Sequence, residues 1–260
     1  MKTIMTLTAT SLLIAMTPVS SAFADDKGAT PNRFGVGLNL TNNPMIYDAQ
    51  DGDYRAGIHL QYRGKRFNMN QDSMAYRFFN RNNFHVEGLV KYESRGFESN
   101  DYKAFEGLSD RDESADLGLR AGYETPYGTL TLDATKDISD THEGHEADLR
   151  FGPGLYAESP SGNGNNASFG LIAGVKWQSD KTVDYYYGVK DSEATATRAA
   201  YKGKAAVTPY IGIGGQTSIG RNVTLSGSVI YKDQPDEITD SPLVNDDHDI
   251  AANLGFTYWF

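Results

Sequence analysis

Five histidines, a tyrosine triplet and one acid-rich loop are the residues of this chain whose types and spacing could do chemistry. The histidines are His59, His85, His142, His145 and His248. The densest grouping is His142-Glu143-Gly144-His145-Glu146, whose imidazoles and carboxylates could ligate a metal or trade protons. Its two histidines stand three apart in what reads as a strand-connecting loop, not on the helix that aligns the ligands of a zinc site. The patch therefore reads as a solvated loop, and no catalytic or metal-binding residue is assigned to it. No serine occupies a G-x-S-x-G elbow, the context that exposes a nucleophile in many hydrolases. The chain has no cysteine, which closes disulfide, zinc-thiolate and cysteine-nucleophile chemistry. No cofactor is expected. Residues 233–249 hold seven acids and no Lys other than Lys232 just before them. Hard divalent cations bind such clusters weakly, so the stretch reads as a solvated outer loop facing a lipopolysaccharide surface. Tyr185, Tyr186 and Tyr187 cannot all face one way in a strand, and packing is the expected role of the triplet.

The elements that must position these residues are strands. In the closing stretch 249–260, Ala252, Leu254, Phe256, Tyr258 and Phe260 share one face, while Asn253, Gly255, Thr257 and Trp259 share the other. Its length suits one tilted crossing of a bilayer, about 9–11 residues. An unpaired apolar strand of this kind invites aggregation in water, whereas a closed membrane barrel pairs it and turns its apolar face to lipid. Alternation bounded by turn residues gives further strands at 33–40, 53–63, 66–70, 74–80, 83–94, 113–124, 129–136, 146–157, 167–178, 205–217 and 223–232. A bulge is expected at Pro153, which cannot donate to the ladder. The fold class is therefore all-β: a transmembrane antiparallel barrel of about twelve strands, or ten if 64–80 is not a hairpin. No helix of useful length is expected.

Two further patterns support the barrel. With the N-terminus in the periplasm, every connection on that side is short, and the three longest segments, 95–112, 179–204 and 233–248, all fall outside, as in outer-membrane barrels. The faces opposite the apolar ones carry Arg33, Arg55, Arg63, Lys91, Arg120, Arg150 and Lys176 with Glu87, Asp116, Asp133 and Asp148. Charges in a lumen must pair or stay hydrated, and a mutually neutralising network is expected.

The N-terminus reads as an export signal: Lys2, an apolar run from Leu7 to Met16, and Ala22-Phe23-Ala24 as a cleavage site between Ala24 and Asp25. The expected domains are 1–24 as signal peptide, 25–32 as a flexible periplasmic lead and 33–260 as barrel. The formal charge of −10 becomes −11 without Lys2 and argues against nucleic acid. The mean hydropathy is negative, as in barrels where only alternate residues are apolar. These features place the chain in the outer membrane of a Gram-negative cell, in contact with its lipid and lipopolysaccharide.

Phe256, Tyr258 and the terminal aromatic Phe260 resemble the C-terminal signal read by the barrel-assembly machinery. A wider resemblance is carried by Tyr62-Arg63-Gly64-Lys65-Arg66, by Tyr185-Tyr186-Tyr187-Gly188, by Thr208-Pro209-Tyr210, and by Asp240-Ser241-Pro242-Leu243-Val244. Together they look like the MipA/OmpV family, over nearly the whole mature chain. The resemblance implies a non-enzymatic scaffold that brings a lytic murein transglycosylase to a murein synthase. It carries no catalytic residues with it. The alternative expectation is a pore, surface receptor or adhesin, because the periplasmic turns are short and the distinctive loops point outward.

Overall fold

The computed structural model describes residues 32–43, 53–100, 105–152, 157–158 and 166–260. Its strands are β1 (Arg33–Asn43), β2 (Asp53–Arg63), β3 (Phe67–Met69), β4 (Ser73–Arg81), β5 (Phe84–Glu93), β6 (Ser114–Thr125), β7 (Gly128–Asp137), β8 (His145–Gly152), β9 (Ala157–Glu158), β10 (Asn166–Gln178), β11 (Ala206–Ile219), β12 (Val223–Asp233) and β13 (His248–Trp259). Each pairs antiparallel with its neighbour, β13 pairs with β1, and β10 pairs with both β8 and β11. The two-residue β9 lies on the same edge of β10 as β8, so the two form one stave and the barrel closes with twelve. The hairpin β3–β4 exists, which settles twelve over ten; β3 is only three residues long.

Period-two alternation is what builds this wall. On β13, Leu254, Phe256 and Tyr258 are exposed on the lipid side, while Thr257 and Trp259 are buried inside. On β6 and β8, Leu119 and Leu149 face out, and Arg120 and Arg150 face in. Lipid is as apolar as these side chains, so their exposure to it costs nothing, and the antiparallel ladder runs around the closed ring, thinnest where β2 pairs with β3 only at Tyr62 and Arg63. The ladder slips once among the described residues, between Arg77 and Phe79 on β4. A bulge of this kind inserts one extra residue, so both Phe78 and Phe79 reach the outer surface while Arg77 stays inside. The bulge expected at Pro153 and the 159–165 turn lie outside the described residues, as do the side chain of Arg55, the leader and the Ala24–Asp25 junction.

Both chain ends of the barrel, Arg33 and Phe260, sit at the end closed by short turns such as Gly220-Arg221-Asn222, where Gly220 adopts φ +61°. In outer-membrane barrels the short turns are periplasmic. The opposite, outer end carries the long connections. One of them contains a helix, α1 (Asp180–Tyr187), and another the short helix α2 (Asp236–Thr239). The sequence pattern gave no reason to expect α1. Eight residues are too few for a helical period to stand out, and only Ser179 before Asp180 hinted at a cap.

Candidate functional site: the lidded outer mouth and the charged lumen

The long outer connections fold together into a lid. Ser179 caps α1, its hydroxyl accepting the Thr182 N–H at 3.4 Å, which satisfies one of the free donors of the first turn. Gly203 passes so close over the helix that a Cβ on it would lie 2.4 Å from the Asp184 backbone nitrogen; only glycine fits there. The helical turn splits the tyrosine triplet by direction. Tyr186 and Tyr187 are buried, and Tyr185 is half-buried with its ring edge-on to Tyr186 at 5.0 Å. Around them close Phe97, Phe105 and Leu108 from the β5–β6 connection, and Ile238, Leu243 and Val244 from the last loop. Burying side chains of this size stabilises by about 1.5–3 kcal/mol each.

Polar contacts fix the same lid. Ser241 donates its hydroxyl to the Tyr187 carbonyl at 2.6 Å. The Asp240-Ser241-Pro242 stretch and the Tyr185–Gly188 stretch, far apart in sequence, are thus clasped together. Tyr185 Oη accepts the Asp112 N–H at 2.7 Å. Arg111, itself buried, pairs with Glu193 at 3.1 Å and donates to the Gly188 carbonyl at 3.2 Å. Burial resists ionisation of Glu193, but hydrogen bonds from Ser109, the Lys190 backbone and Arg111 outweigh it and hold the carboxyl down at about 2. Burial pushes the Tyr187 phenol up to about 12 and raises Tyr186 as well. Both rings therefore stay neutral packing elements across the physiological range. The outer surface of the lid carries an open groove of about 610 Å³ whose lining includes Tyr185, Tyr201, Asp184, Lys190 and Lys202.

Two loop expectations need correction here. The stretch 233–249, expected to be solvated, is so only in part: Asp233, Asp236, Asp240, Asp246 and Asp247 are exposed, while Ile238, Leu243 and Val244 enter the lid core and Asp249 is buried against Lys232 at 3.2 Å. His142 is likewise buried rather than solvated. Its ring lies 5.8 Å from that of Tyr186, and its Nε2 is 3.4 Å from Asp116 Oδ1. Asp116, Asp137 and His142 bring ligand atoms within 4.8 Å of one another. His142 Nδ1 accepts the Gly144 N–H at 3.0 Å, while its buried Nε2 makes no hydrogen bond and lies 3.4 Å from Asp116 Oδ1. Ser114 gives its hydroxyl to Asp116 at 3.1 Å, not to the imidazole. The group acts as a hydrogen-bonded seat for the lid: Thr182 of α1 meets His142 Nδ1 at 3.3 Å. His145 and Glu146 part company. His145 is exposed, and Glu146 turns into the lumen.

Beneath the lid the lumen is crossed by ion pairs. Lys91, Arg95 and Lys176 surround Glu93 and Glu146, with Lys176–Glu146 at 3.0 Å, Arg95–Glu93 at 3.0 Å, and Arg95 also on Glu146. The Arg95 guanidinium stacks 4.6 Å from the Tyr186 ring, which joins lumen and lid. Lower down, Arg120 clasps Asp133 through two bonds of 2.7 Å. Arg77 holds Glu87 at 2.8 and 3.0 Å. Of the expected network, Lys91, Lys176, Arg120, Asp133 and Glu87 are paired, and Glu93, Arg95 and Glu146 join it unexpectedly. Arg77 was not among its expected members, because the bulge that keeps it inward leaves no mark in the alternation. The facing wall is different in kind. From β10 through β13 to β2 its inward positions are mostly Gly, Ser, Asn, Gln and Thr, with His59 bonded to Thr257 at 3.0 Å, together with a small buried cluster of Ile172, Tyr210 and Ile230. His85 also faces inward and is buried. At the periplasmic mouth Arg63 and Arg33 lie 4.3 and 5.8 Å from the Trp259 ring. Phe256, Tyr258 and Phe260 sit together on the lipid face.

A closed antiparallel barrel of twelve staves, apolar outside and polar within, defines an outer-membrane β-barrel protein. Within that class the chain belongs to the MipA family: the family described as MltA-interacting protein MipA matches residues 36–260. The chain is 26% identical over 229 residues to the MltA-interacting protein of Escherichia coli (strain K12), covering 87% of this chain and 89% of that one. It is 26% identical over 214 residues to the outer membrane protein OmpV of Vibrio cholerae, covering 81% and 80%. Among solved structures, a bacterial polysaccharide outer membrane secretin aligns over 88% of this chain and 97% of its own at 7% identity and a TM-score of 0.40, too distant to carry an argument.

Proposed function

We propose that this outer-membrane barrel is a non-enzymatic scaffold that holds murein-processing enzymes, a lytic transglycosylase and a murein synthase, at the periplasmic face. The observation that carries this reading is the lid. A barrel whose described outer connections pack into an apolar core, with a lattice of ion pairs directly beneath, suits a closed scaffold better than a path for solutes. The family supports the choice of partner, since one relative is named for its interaction with MltA. Affinity capture from detergent-solubilised envelope tests it: murein enzymes should co-elute with the tagged barrel, and their absence from the eluate rejects the scaffold.

A second reading, a surface receptor or adhesin, is favoured by the groove of about 610 Å³ on the outer face of the lid. Whole-cell binding that disappears when Tyr201 and Lys202 in the groove are replaced would support it over the scaffold.

A further inference from the structure

Among the described residues, the turns at the periplasmic end are short and the charged residues on them are basic. Lys65 and Arg66 stand on the β2–β3 connection, Arg81 at the end of β4 and Arg221 on the β11–β12 turn, all four exposed. Arg33 and Arg63 line the mouth just inside. Against these six bases the described side chains of the same end include the acid Glu124. Among the described residues, Lys65, Arg66, Arg81 and Arg221 form no ion pair. This stands out in a chain of net charge −10, whose last outer loop, 234–247, holds five acids and no base. The molecule is electrically polar along its axis, negative outside and positive toward the periplasm.

We infer that this basic rim binds a carboxylate-rich glycopeptide polymer, the murein layer itself, so that the scaffold grips the substrate of the enzymes it holds. The inference rests on the scaffold reading for the identity of the polymer. The form of the rim argues for a polymer. Twelve strands about 4.8 Å apart and tilted about 40° close into a ring roughly 24 Å across. The β2–β3, β4–β5 and β11–β12 turns are thus separated by more than the ~10 Å over which salt screens charge at 0.1 M, while Arg33, which donates to the Arg221 carbonyl, and Arg63 gather beside Trp259. Each isolated contact is weak, so useful affinity needs a ligand that repeats its carboxylates over that distance and gains by multivalency. The described turns, 64–66, 82–83, 126–127 and 220–222, are short and suit a mesh lying against them. Anionic lipid headgroups would reach the outer edge of the turns, yet not Arg33 and Arg63, which face the aqueous mouth.

Co-sedimentation of the purified detergent-solubilised barrel with isolated murein sacculi tests this. The wild type should pellet with sacculi at low salt and be released at least about tenfold as NaCl rises toward 0.5 M. The variant Lys65→Glu/Arg66→Glu/Arg81→Glu/Arg221→Glu should pellet at least tenfold less, and the matching glutamine variant should fall between. Heat-modifiable migration on a gel confirms that each variant is folded. A wild type that stays in the supernatant at low salt, or a glutamate variant that pellets equally, overturns the inference. So does a variant that loses only its attachment to phosphatidylglycerol vesicles while still pelleting with sacculi, which would assign the rim to lipid. Enzyme capture is a separate readout. If enzymes still co-elute with a barrel that ignores sacculi, the rim inference fails and the scaffold stands.

Discussion

The two ends of this barrel are built on opposite plans. The outer end gathers about a quarter of the chain into a lid with its own apolar core, a helix and a clasp between distant segments. At the periplasmic end the described turns are short, and Lys65, Arg66, Arg81 and Arg221 on or beside them form no ion pair. One end is specified by packing and the other by charge. Packing fixes a single closed arrangement, while exposed charge leaves geometry open and answers to salt. The lid is thus the part of the molecule where one substitution should have a large local effect, and the rim the part where effects accumulate.

Four substitutions or conditions sharpen that contrast. The largest effect is expected from Tyr186→Ala, which empties the centre of the lid. Loss of a fully buried aromatic costs about 3–5 kcal/mol, so limited proteolysis should cut within 179–204 while the barrel keeps its heat-modifiable migration. A barrel that unfolds with the lid would show that the two ends are not independent. Next is Gly203→Val, whose branched side chain collides with the Asp184 backbone. Overpacking of this kind costs about 1–3 kcal/mol, and the same cleavage assay should place it below Tyr186→Ala. Ser241→Ala removes the hydroxyl that holds the Tyr187 carbonyl, with an expected loss of about 1 kcal/mol read as a small rise in cleavage rate. The gentlest probe is acid. The Glu193 carboxyl is held down at about 2 from an ordinary 4.5, so its contribution is present in full above pH 4.5 and fades as pH falls toward 2. Lid protection against an acid protease should weaken over that window, and Glu193→Gln should flatten the dependence.

How much of this was legible in the sequence follows from the same contrast. The strands were legible because lipid and lumen impose one rule, period two, on each of them; Leu119 against Arg120 and Phe256 against Thr257 can be assigned from order alone. The parity of short and long connections was legible for the same reason. Arg77 was not, because a bulge changes the register without altering residue types. The lid was not, because its contacts join residues far apart: nothing near Ser241 announces that it will hold Tyr187, and nothing near His142 announces Asp116 and Thr182. The acid-rich appearance of 233–249 concealed Ile238, Leu243 and Val244, whose burial depends on partners in two other loops. Electrical polarity along the axis was present in the sequence but became visible only when the turns were assigned to one end.

The claim on which the rest depends is that the outer mouth is shut. Recording from the purified wild-type barrel in a planar lipid bilayer tests it most directly. The lidded, ion-paired lumen predicts a quiet trace without discrete conductance steps; stable, reproducible single-channel openings from the intact protein would contradict it.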